Sequence, residues 1–232
     1  MKIIHVAGTS GTGKTRFIQD LLPALQALGP TGVVKHIGHH TAALEPGKDT
    51  TLFFEGGAAI SAGIDQEKTV IVTRENELIR ILSLLSDSGM QFAVVEGFKQ
   101  KPFRKIVFGS LSGAEQVLMI EPPVSEVISR REEFSDFFTA AGLARELRSG
   151  CRPGEASLVC TLVPEKGILK KTITSADLRK VRSVVPGVSE IRLCTGGENE
   201  THIGVCAKDM GTAVEAARVT AALLGEVDGC QV

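Results

Sequence analysis

Short apolar runs and helical repeats alternate along the first half of the chain. Apolar runs typical of buried strands occur at Ile3–Val6, Val33–Val34 and Phe92–Val95. Apolar residues recur at helical spacing from Phe17 to Leu28 and from Asn76 to Ser86. The alternation predicts an α/β domain in which helices pack on a central, mostly parallel sheet.

Weaker patterns predict the remaining elements of this domain. They are a short helix through Phe53 and Phe54, strands at 58–62 and 69–72 around a turn at 63–65, strands at 106–108 and 117–120, and a helix over 127–147. We expect the last helix to place Phe134, Phe137 and Phe138 on its apolar side and to close a first domain spanning 1–149.

The pattern changes after a turn-forming segment, Arg152-Pro153-Gly154, which we interpret as a linker. Beyond it the order is strand, helix, strand, strand, helix, at 158–163, 176–184, 191–194, 203–207 and 212–224, with a hairpin loop at 196–200. Capping-box spacing at Thr174/Asp177 and Thr212/Glu215 is predicted to begin the two helices. This order predicts a small ferredoxin-like α+β domain spanning 155–232.

The segment between the first strand and the first helix reads GTSGTGKT, from Gly8 to Thr15. Glycines at these positions let backbone N–H groups turn toward phosphate oxygens, and the following helix offers its positive N-terminal end. Lys14 would reach the β- and γ-phosphates, and the hydroxyl of Thr15 would serve a magnesium ion. The segment therefore predicts a phosphate-binding loop, and with it a three-layer P-loop NTPase domain.

Polar residues follow two further strands, where ligands bind in open α/β sheets. Lys35 and His36 end the second strand, and Glu96 ends the run Phe92–Val95. Magnesium is held by carboxylates and phosphate oxygens, so Glu96 is a candidate for its acidic ligand. Asp49, after a turn, is a candidate helix cap and a second candidate for magnesium.

Two clusters leave alternatives open. His39 and His40 are either solvated loop residues or part of a ligand site. Lys99, Lys101, Arg104 and Lys105 form either a solvated loop or a site that binds an anionic second substrate.

Composition and charge exclude several classes of function. Hydrophobic residues make up 43% and charged residues 23% of 232 residues, which is typical of a soluble globular protein. The chain has 26 Lys and Arg residues and 27 Asp and Glu residues. It therefore lacks the excess of basic residues that nucleic-acid binding needs, and we expect no nucleic-acid partner. With no apolar stretch of membrane-spanning length and no targeting segment, we expect a cytoplasmic protein without a membrane partner.

The five cysteines all lie in the last third of the chain, at Cys151, Cys160, Cys194, Cys206 and Cys230. Their odd number and irregular spacing argue against a disulfide framework. A regular hairpin would place Cys194, His202 and Cys206 on one face of the sheet. That face would be either a set of buried or reactive thiols or, less favoured, a soft-metal site.

Several motifs together resemble the molybdopterin-guanine dinucleotide biosynthesis protein B (MobB) family. They are GTSGTGKT, VVKHIGHH, PGKDT followed by GGAA, VVEGFK and KIV, in this order within residues 1–110. The resemblance implies a dimeric, weakly hydrolysing GTPase that assists the enzyme attaching GMP to molybdopterin.

By position, the resemblance also implies roles for individual residues. Lys14 and Glu96 would be catalytic, and Thr15, Asp49 and Glu96 would serve Mg²⁺. Residues that would bind GTP are Gly8, Ser10, Gly11, Thr12, Gly13, Lys14, Thr15, Lys35, His36 and Lys99.

Two other functions stay open on the residues alone. A P-loop kinase or ligase would transfer phosphate to an anionic small molecule bound by the Lys99–Lys105 cations. A nonhydrolytic adaptor would use the nucleotide only to select a conformation. The N-K-x-D signature of guanine recognition is absent from the sequence, so GTP rests on the resemblance.

Overall fold

A computed structural model of the chain describes residues 1–38, 43–163, 173–195 and 200–224. The elements up to residue 150 are, in chain order, β1 (Lys2–Gly8), α1 (Lys14–Gln26), β2 (Thr31–Lys35), α2 (Asp49–Glu55), β3 (Ile60–Ile64), β4 (Thr69–Thr73), α3 (Leu78–Asp87), β5 (Phe92–Glu96), β6 (Lys105–Phe108), β7 (Val117–Ile120), α4 (Val124–Ser129), β8 (Ser135–Asp136) and α5 (Ala140–Gly150). Those that follow are β9 (Ala156–Leu162), α6 (Ser175–Val184), β10 (Val188–Thr195), β11 (Thr201–Ala207) and α7 (Met210–Leu224).

The main sheet has the order β2-β5-β1-β6-β7, and all of these strands are parallel. Alternate residues of the strands face opposite layers. Ile4, Val6 and Val94 pack with α1, whereas Ile3 and Val95 pack with α3. The predicted three-layer α/β fold is confirmed.

The predicted helix over 127–147 is wrong. Helix α4 ends at Ser129, β8 pairs antiparallel with the start of β1, and α5 begins only after Thr139. The hydroxyl of Thr139 caps α5 by accepting a hydrogen bond from the backbone N–H of Gly142 at 3.0 Å. Apart from one 3-10 turn at Arg131–Glu133, the intervening segment is not helical. Its three phenylalanines reach three different apolar clusters, which the single face of one helix would not do: Phe134, Phe137 and Phe138.

Strands β3 and β4 form a separate two-stranded hairpin. Their pairing ends at Ile64 and Thr69, so the turn lies at 65–68 and not at 63–65 as predicted. The carboxylate of Asp65 makes this turn by accepting hydrogen bonds from the backbone N–H groups of Glu67 and Lys68 at 2.8 and 2.7 Å. The turn therefore depends on the Asp65 side chain, whereas Gly63 lies within β3.

The C-terminal elements form a three-stranded antiparallel sheet of order β10-β11-β9. Strand β11 lies between β9 and β10, which gives the split β-α-β arrangement expected of a ferredoxin-like α+β domain. Pairing of Ile191 with Val205 and of Leu193 with Ile203 confirms the predicted hairpin register. Helices α6 and α7 pack against the face that carries these residues.

The opposite face of this sheet is covered by α5. Leu143 and Leu147 of α5 are fully buried in a cluster with Cys194 and Cys206. Gly204 allows this approach, because a Cβ there would lie 2.6 Å from Leu147 Cδ1. The C-terminal sheet is therefore enclosed between helices on both faces.

One of the two predicted capping boxes is present. Thr174 and Asp177 cap α6 reciprocally, as predicted. Helix α7 instead begins at Met210, where the carboxylate of Asp209 accepts a hydrogen bond from the N–H of Thr212 at 2.7 Å. The box predicted at Thr212 is wrong because the helix begins earlier, and 196–199 of the predicted hairpin loop lie outside the described residues.

Cys151 and Cys206 form a disulfide, although the number and spacing of the cysteines argued against a disulfide framework. Cys151 is the C-cap of α5 and Cys206 lies on β11, so the bond ties the end of the helix to the sheet. Burial raises the pKa of the neighbouring Cys194 thiol to about 11, which makes it an unreactive core residue. Among the residues that the structure describes, no group of three His, Cys, Asp or Glu side chains is placed to hold a metal ion.

We predict that Cys151→Ser lowers the free energy of unfolding by about 2–4 kcal/mol in the absence of reductant, because the bond constrains the unfolded chain. Chemical denaturation measures the loss, and wild type with reductant should match the variant. A digest made without reductant should contain the Cys151 and Cys206 peptides joined; separate peptides would contradict the assignment.

Candidate functional site

The loop between β1 and α1 has the backbone geometry of a phosphate-binding loop. Gly8 is buried with φ 134°, and a Cβ there would lie 1.9 Å from the carbonyl oxygen of Phe108. Gly13 is the N-cap of α1 with φ 87°, and Gly11 has φ 78°. Glycine is the residue that adopts these left-handed conformations without strain. The path of the loop therefore requires glycine at these three positions.

Three side chains from separate elements meet beside this loop. Thr15 lies in the first turn of α1, Lys35 ends β2 and Glu96 ends β5. The hydroxyl of Thr15 donates to the Glu96 carboxylate at 3.2 Å, and Lys35 Nζ lies 3.3 Å from the same carboxylate oxygen. A hydroxyl next to a carboxylate supplies the hard oxygen ligands that Mg²⁺ takes alongside phosphate, so these residues fit a magnesium ion.

Positive charge is concentrated around Glu96. The Lys14 ammonium donates to the carbonyl of Thr9 within the loop. Partial burial lowers the pKa of Lys14; the Glu96 carboxylate opposes this shift, and the charges of Lys99 and Lys35 add to it. Lys14, Lys35 and Lys99 thus lie in one region with a single carboxylate, Glu96, which leaves an excess of positive charge suited to a polyphosphate.

His36 lies next to this group and contacts a residue that the sequence analysis missed. Its ring stacks on Phe98 with centroids 4.5 Å apart. Phe98 has φ 46°, a conformation unusual for an aromatic residue, and a Cβ on the preceding Gly97 would lie 2.7 Å from His36 Cβ. The sharp turn after Glu96 is therefore shaped by close packing against His36.

His5 is a second residue that the sequence analysis missed. It is fully buried within β1, and its Nε2–H donates to the carbonyl of Gly97 at 2.7 Å. Burial lowers the pKa of His5, so the ring is neutral at pH 7. His5 therefore holds the turn after Glu96 from within the neighbouring strand β1. The sequence feature that could have identified His5 is its position as a single polar residue in an otherwise apolar strand.

The loop after β6 also lies against the phosphate loop. Thr9 donates its hydroxyl proton to the carbonyl of Ser110 at 2.8 Å, and Thr12 donates to the carbonyl of Thr9 at 2.9 Å. Ser10 is exposed within the loop. Neither Thr9 nor Ser110 was singled out from the sequence, because the contact joins segments about one hundred positions apart.

Two of the four clustered cations have structural roles. Lys105 is buried in β6, and its ammonium donates to the carbonyls of Lys99 and Lys101 at 3.0 Å each. Arg104 donates to the carbonyl of Glu133 at 2.7 Å. The hypothesis that these four residues together hold an anion is therefore wrong for the buried Lys105, whereas Arg104 is exposed and Lys99 lies near Lys14.

Asp49 is not joined to this group by the contacts of the described residues. It is the first residue of α2, whose N-cap is Lys48, so the predicted capping role is wrong. Helix α2 packs against β3 and β4, and no hydrogen bond or ion pair between described residues links Asp49 to Thr15 or Glu96. His39 and His40 lie outside the described residues.

A parallel sheet whose first strand leads through this glycine loop into a helix defines a protein of the P-loop NTPase class. A family model described as MobB, molybdopterin guanine dinucleotide synthesis protein B, matches residues 3–130. The chain belongs to this family.

Related proteins match the same part of the chain. The molybdopterin-guanine dinucleotide biosynthesis adapter protein of Escherichia coli K12 is 34% identical over 111 residues, which cover 45% of this chain and 63% of that protein. The Haemophilus influenzae adapter protein is 30% identical over 109 residues, which cover 45% of this chain and 61% of that protein. The chain thus spans less than two thirds of either relative.

Among solved structures, the crystal structure of Bacillus subtilis MobB is 27% identical and covers 52% of this chain and 78% of that one, with a TM-score of 0.44. A TM-score of this size reflects only partial superposition. Within the described ranges, no helix is long and apolar enough to span a membrane.

We predict that Lys14→Ala lowers affinity for a nucleoside triphosphate by at least about tenfold without unfolding the chain, because hydrogen bonds to charged groups each contribute about 1.5–3 kcal/mol. Calorimetric titration measures the loss. Lys180→Ala, which removes an exposed lysine from α6, is the matched control and should bind as wild type does. Unchanged affinity in Lys14→Ala would contradict the phosphate-loop assignment.

Proposed function

We propose that this chain binds GTP with Mg²⁺, hydrolyses it slowly, and acts as an accessory protein in molybdopterin guanine dinucleotide biosynthesis. The observation that carries the proposal is the meeting of Thr15, Lys35 and Glu96 beside the phosphate loop. The family supplies the pathway, since the relatives from E. coli and H. influenzae are both named as adapter proteins of this biosynthesis.

Each group in the site has a distinct task in this proposal. The backbone of Gly8–Gly13 and the ammonium of Lys14 would hold the phosphates, and Thr15 and Glu96 would serve magnesium directly or through water. Bound magnesium supplies positive charge that bridges phosphate oxygens and offsets the charge developing on them. Lys35 and Lys99 add positive charge at the same edge of the sheet.

Slow hydrolysis follows from the same arrangement. Among the described residues, Glu96 is the carboxylate that the contacts bring to the loop, and it is already paired with Lys35. A carboxylate committed to magnesium and a lysine has little capacity to orient or deprotonate an attacking water. A nucleotide used mainly to select a conformation fits an adapter better than a fast enzyme.

The kinase or ligase alternative loses much of its support in the structure. That reading needs the cations between Lys99 and Lys105 to bind an acceptor, and two of the four are engaged by backbone carbonyls. Product analysis distinguishes the three functions. Inorganic phosphate alone indicates a GTPase, a phosphorylated acceptor indicates a kinase, and unchanged GTP indicates a nonhydrolytic adaptor.

An exposed apolar surface on α2 and the β3–β4 hairpin supports the proposed homodimer. A two-stranded hairpin is only marginally stable in water by itself, and here α2 packs against β3 and β4 but leaves apolar residues of the hairpin uncovered. Its large apolar residues are exposed, with Ile64 81% exposed, and so is Phe53 of α2. Clustered apolar side chains of this kind mark interaction surfaces. We assign this surface to contact with a second copy of the chain, and the partner enzyme that attaches GMP to another face.

The proposed division into domains also needs a revised boundary. The sequence analysis ended the nucleotide-binding domain at residue 149 and therefore assigned α5 to that domain. Leu143 and Leu147 are instead buried against β9 and β11. We therefore place the boundary between Phe137, which packs in the core with α3, and the start of α5.

Glu96→Gln is expected to slow GTP hydrolysis and to raise the magnesium concentration required, because the amide removes one negative charge from the ion's ligands. Binding of GTP without magnesium should hold or tighten, since a charge that repels phosphate is gone. Turnover measured against magnesium concentration tests this. Glu215→Gln, which alters an exposed carboxylate on α7 far from the phosphate loop, is the control. Superimposable curves for wild type and Glu96→Gln would make Glu96 purely structural.

Ile64→Lys combined with Ile71→Lys should convert the dimer to a monomer, because charges would replace the apolar contact. Sedimentation equilibrium measures the mass. Ile120→Lys alters an isoleucine that is 70% exposed on the edge strand β7 and should leave the dimer intact. A dimer that survives the double substitution would rule out the hairpin as its interface.

A further inference from the structure

The residues that fit magnesium indicate the direction in which a bound nucleotide extends. Glu96 ends β5 and Lys35 ends β2, and both strands lie on one side of β1 in the sheet. Magnesium at nucleotide sites bridges the β- and γ-phosphates. With those phosphates on this side, the α-phosphate, ribose and base extend over the other side of β1, where β6 and β7 end. A base site at that position rests on the proposed binding of GTP with Mg²⁺.

The loop after β6 continues the phosphate loop toward this second side. The N–H of Thr9 donates to the carbonyl of Phe108 at 3.1 Å, and the N–H of Ser110 donates to the hydroxyl of Thr9 at 3.2 Å. Gly109 lies between these contacts with φ 70°, and a Cβ there would lie 2.7 Å from Thr12 Cγ2. The two loops therefore form one continuous surface that leads from the phosphate site to the ends of β6 and β7.

Glu121 places a carboxylate at the end of this surface. It follows β7 directly, and its N–H donates to the carbonyl of Val107 at 3.0 Å. Its Oε1 accepts a hydrogen bond from the N–H of Gly109 at 2.7 Å. The residue is exposed, and no other hydrogen bond or ion pair joins its carboxylate to a residue that the structure describes. The carboxylate is thus anchored through one oxygen, which leaves the second oxygen open to a ligand.

The backbone at Glu121 has an unusual conformation that holds this carboxylate in place. Its φ is 44°, in a region that residues other than glycine rarely adopt. Pro122 and Pro123 follow, and their rings fix the backbone beyond Glu121 as far as the N-cap of α4. Glycine would make the same turn without strain, so the turn alone does not account for a glutamate at this position. Strained backbone of this kind is concentrated at ligand sites.

We propose that Glu121 selects guanine as the base of the bound nucleotide. An ionised carboxylate only accepts hydrogen bonds. Guanine presents two adjacent donors, N1–H and the 2-amino group, whereas adenine presents a lone pair at N1 and no 2-amino group. The carboxylate therefore bonds to guanine and repels adenine. Glu121 takes the place of the acidic residue in the N-K-x-D signature, which the sequence lacks.

The first test compares nucleotides in the wild-type, full-length protein. GTP, ITP and ATP are titrated separately by calorimetry, each with Mg²⁺. GTP should bind most tightly. ITP lacks the 2-amino group and should bind about two- to tenfold more weakly, and ATP at least about tenfold more weakly, as expected for lost hydrogen bonds to a carboxylate. These three affinities test the role of Glu121 without any substitution that could disturb the fold.

The second test changes the preference with Glu121→Gln. The amide oxygen can still accept from Gly109 N–H, so the amide NH₂ group faces the base. It opposes the donors of guanine but donates to the 2-oxo group of xanthine. GTP should therefore bind at least about tenfold more weakly than to wild type, and XTP more tightly. A purely structural Glu121 would lower the affinity for all triphosphates alike and give no gain for XTP.

Glu215→Gln makes the same change at an exposed carboxylate of α7 and should keep the wild-type affinities. Equal binding of GTP and ATP by wild type would overturn the role of Glu121 and leave nucleotide binding intact. So would a Glu121→Gln variant whose affinities for GTP and XTP match those of wild type. Failure of wild type to bind any triphosphate would instead overturn the proposed function, and the base site with it.

Discussion

The parallel pairing of β5 with β2 on one side and β1 on the other is the interaction on which the candidate site depends. In this register Lys35 lies opposite Glu96, and Glu96 lies opposite Val6, two residues before the phosphate loop. Side chains alternate between faces along a strand, so a slip of one residue would turn Glu96 away from Lys35 and Thr15. The buried apolar residues of β5 also specify the register, because a slip would exchange Phe92 and Val94, which pack in the core with α1, for Ala93 and Val95, which pack in the core with α3.

The turn after β5 also helps to fix the position of Glu96. His5 bonds to the Gly97 carbonyl from within β1, and His36 packs on Phe98 from the end of β2. The positive φ of Phe98 is a strained conformation that the surrounding contacts maintain. Glu96 is therefore held by contacts from both neighbouring strands and has little freedom to move with the nucleotide.

The sequence predicted the parts of the structure that local spacing determines. The phosphate loop, the polar ends of β2 and β5, and the C-terminal hairpin register all follow from motif or alternation. Three features depend on contacts between distant segments and were missed. They are the extended chain around Phe134–Phe138, the packing of α5 on the C-terminal sheet, and the Cys151–Cys206 bond. An apolar pattern states that a residue is buried but not which partner buries it, and cysteine pairing cannot be deduced from spacing.

The central claim is that the loop from Gly8 to Thr15, with Lys35 and Glu96, recognises the β- and γ-phosphates of a nucleotide bound with magnesium. Calorimetric titration of the full-length protein with GTP, GDP and GMP, each with Mg²⁺, tests this claim most directly. The account predicts one site per chain, tight binding of GTP, and binding of GMP weaker by at least about a hundredfold, because GMP lacks the phosphates that Lys14 and magnesium contact. GMP binding as tightly as GTP, or no binding of GTP, would contradict it.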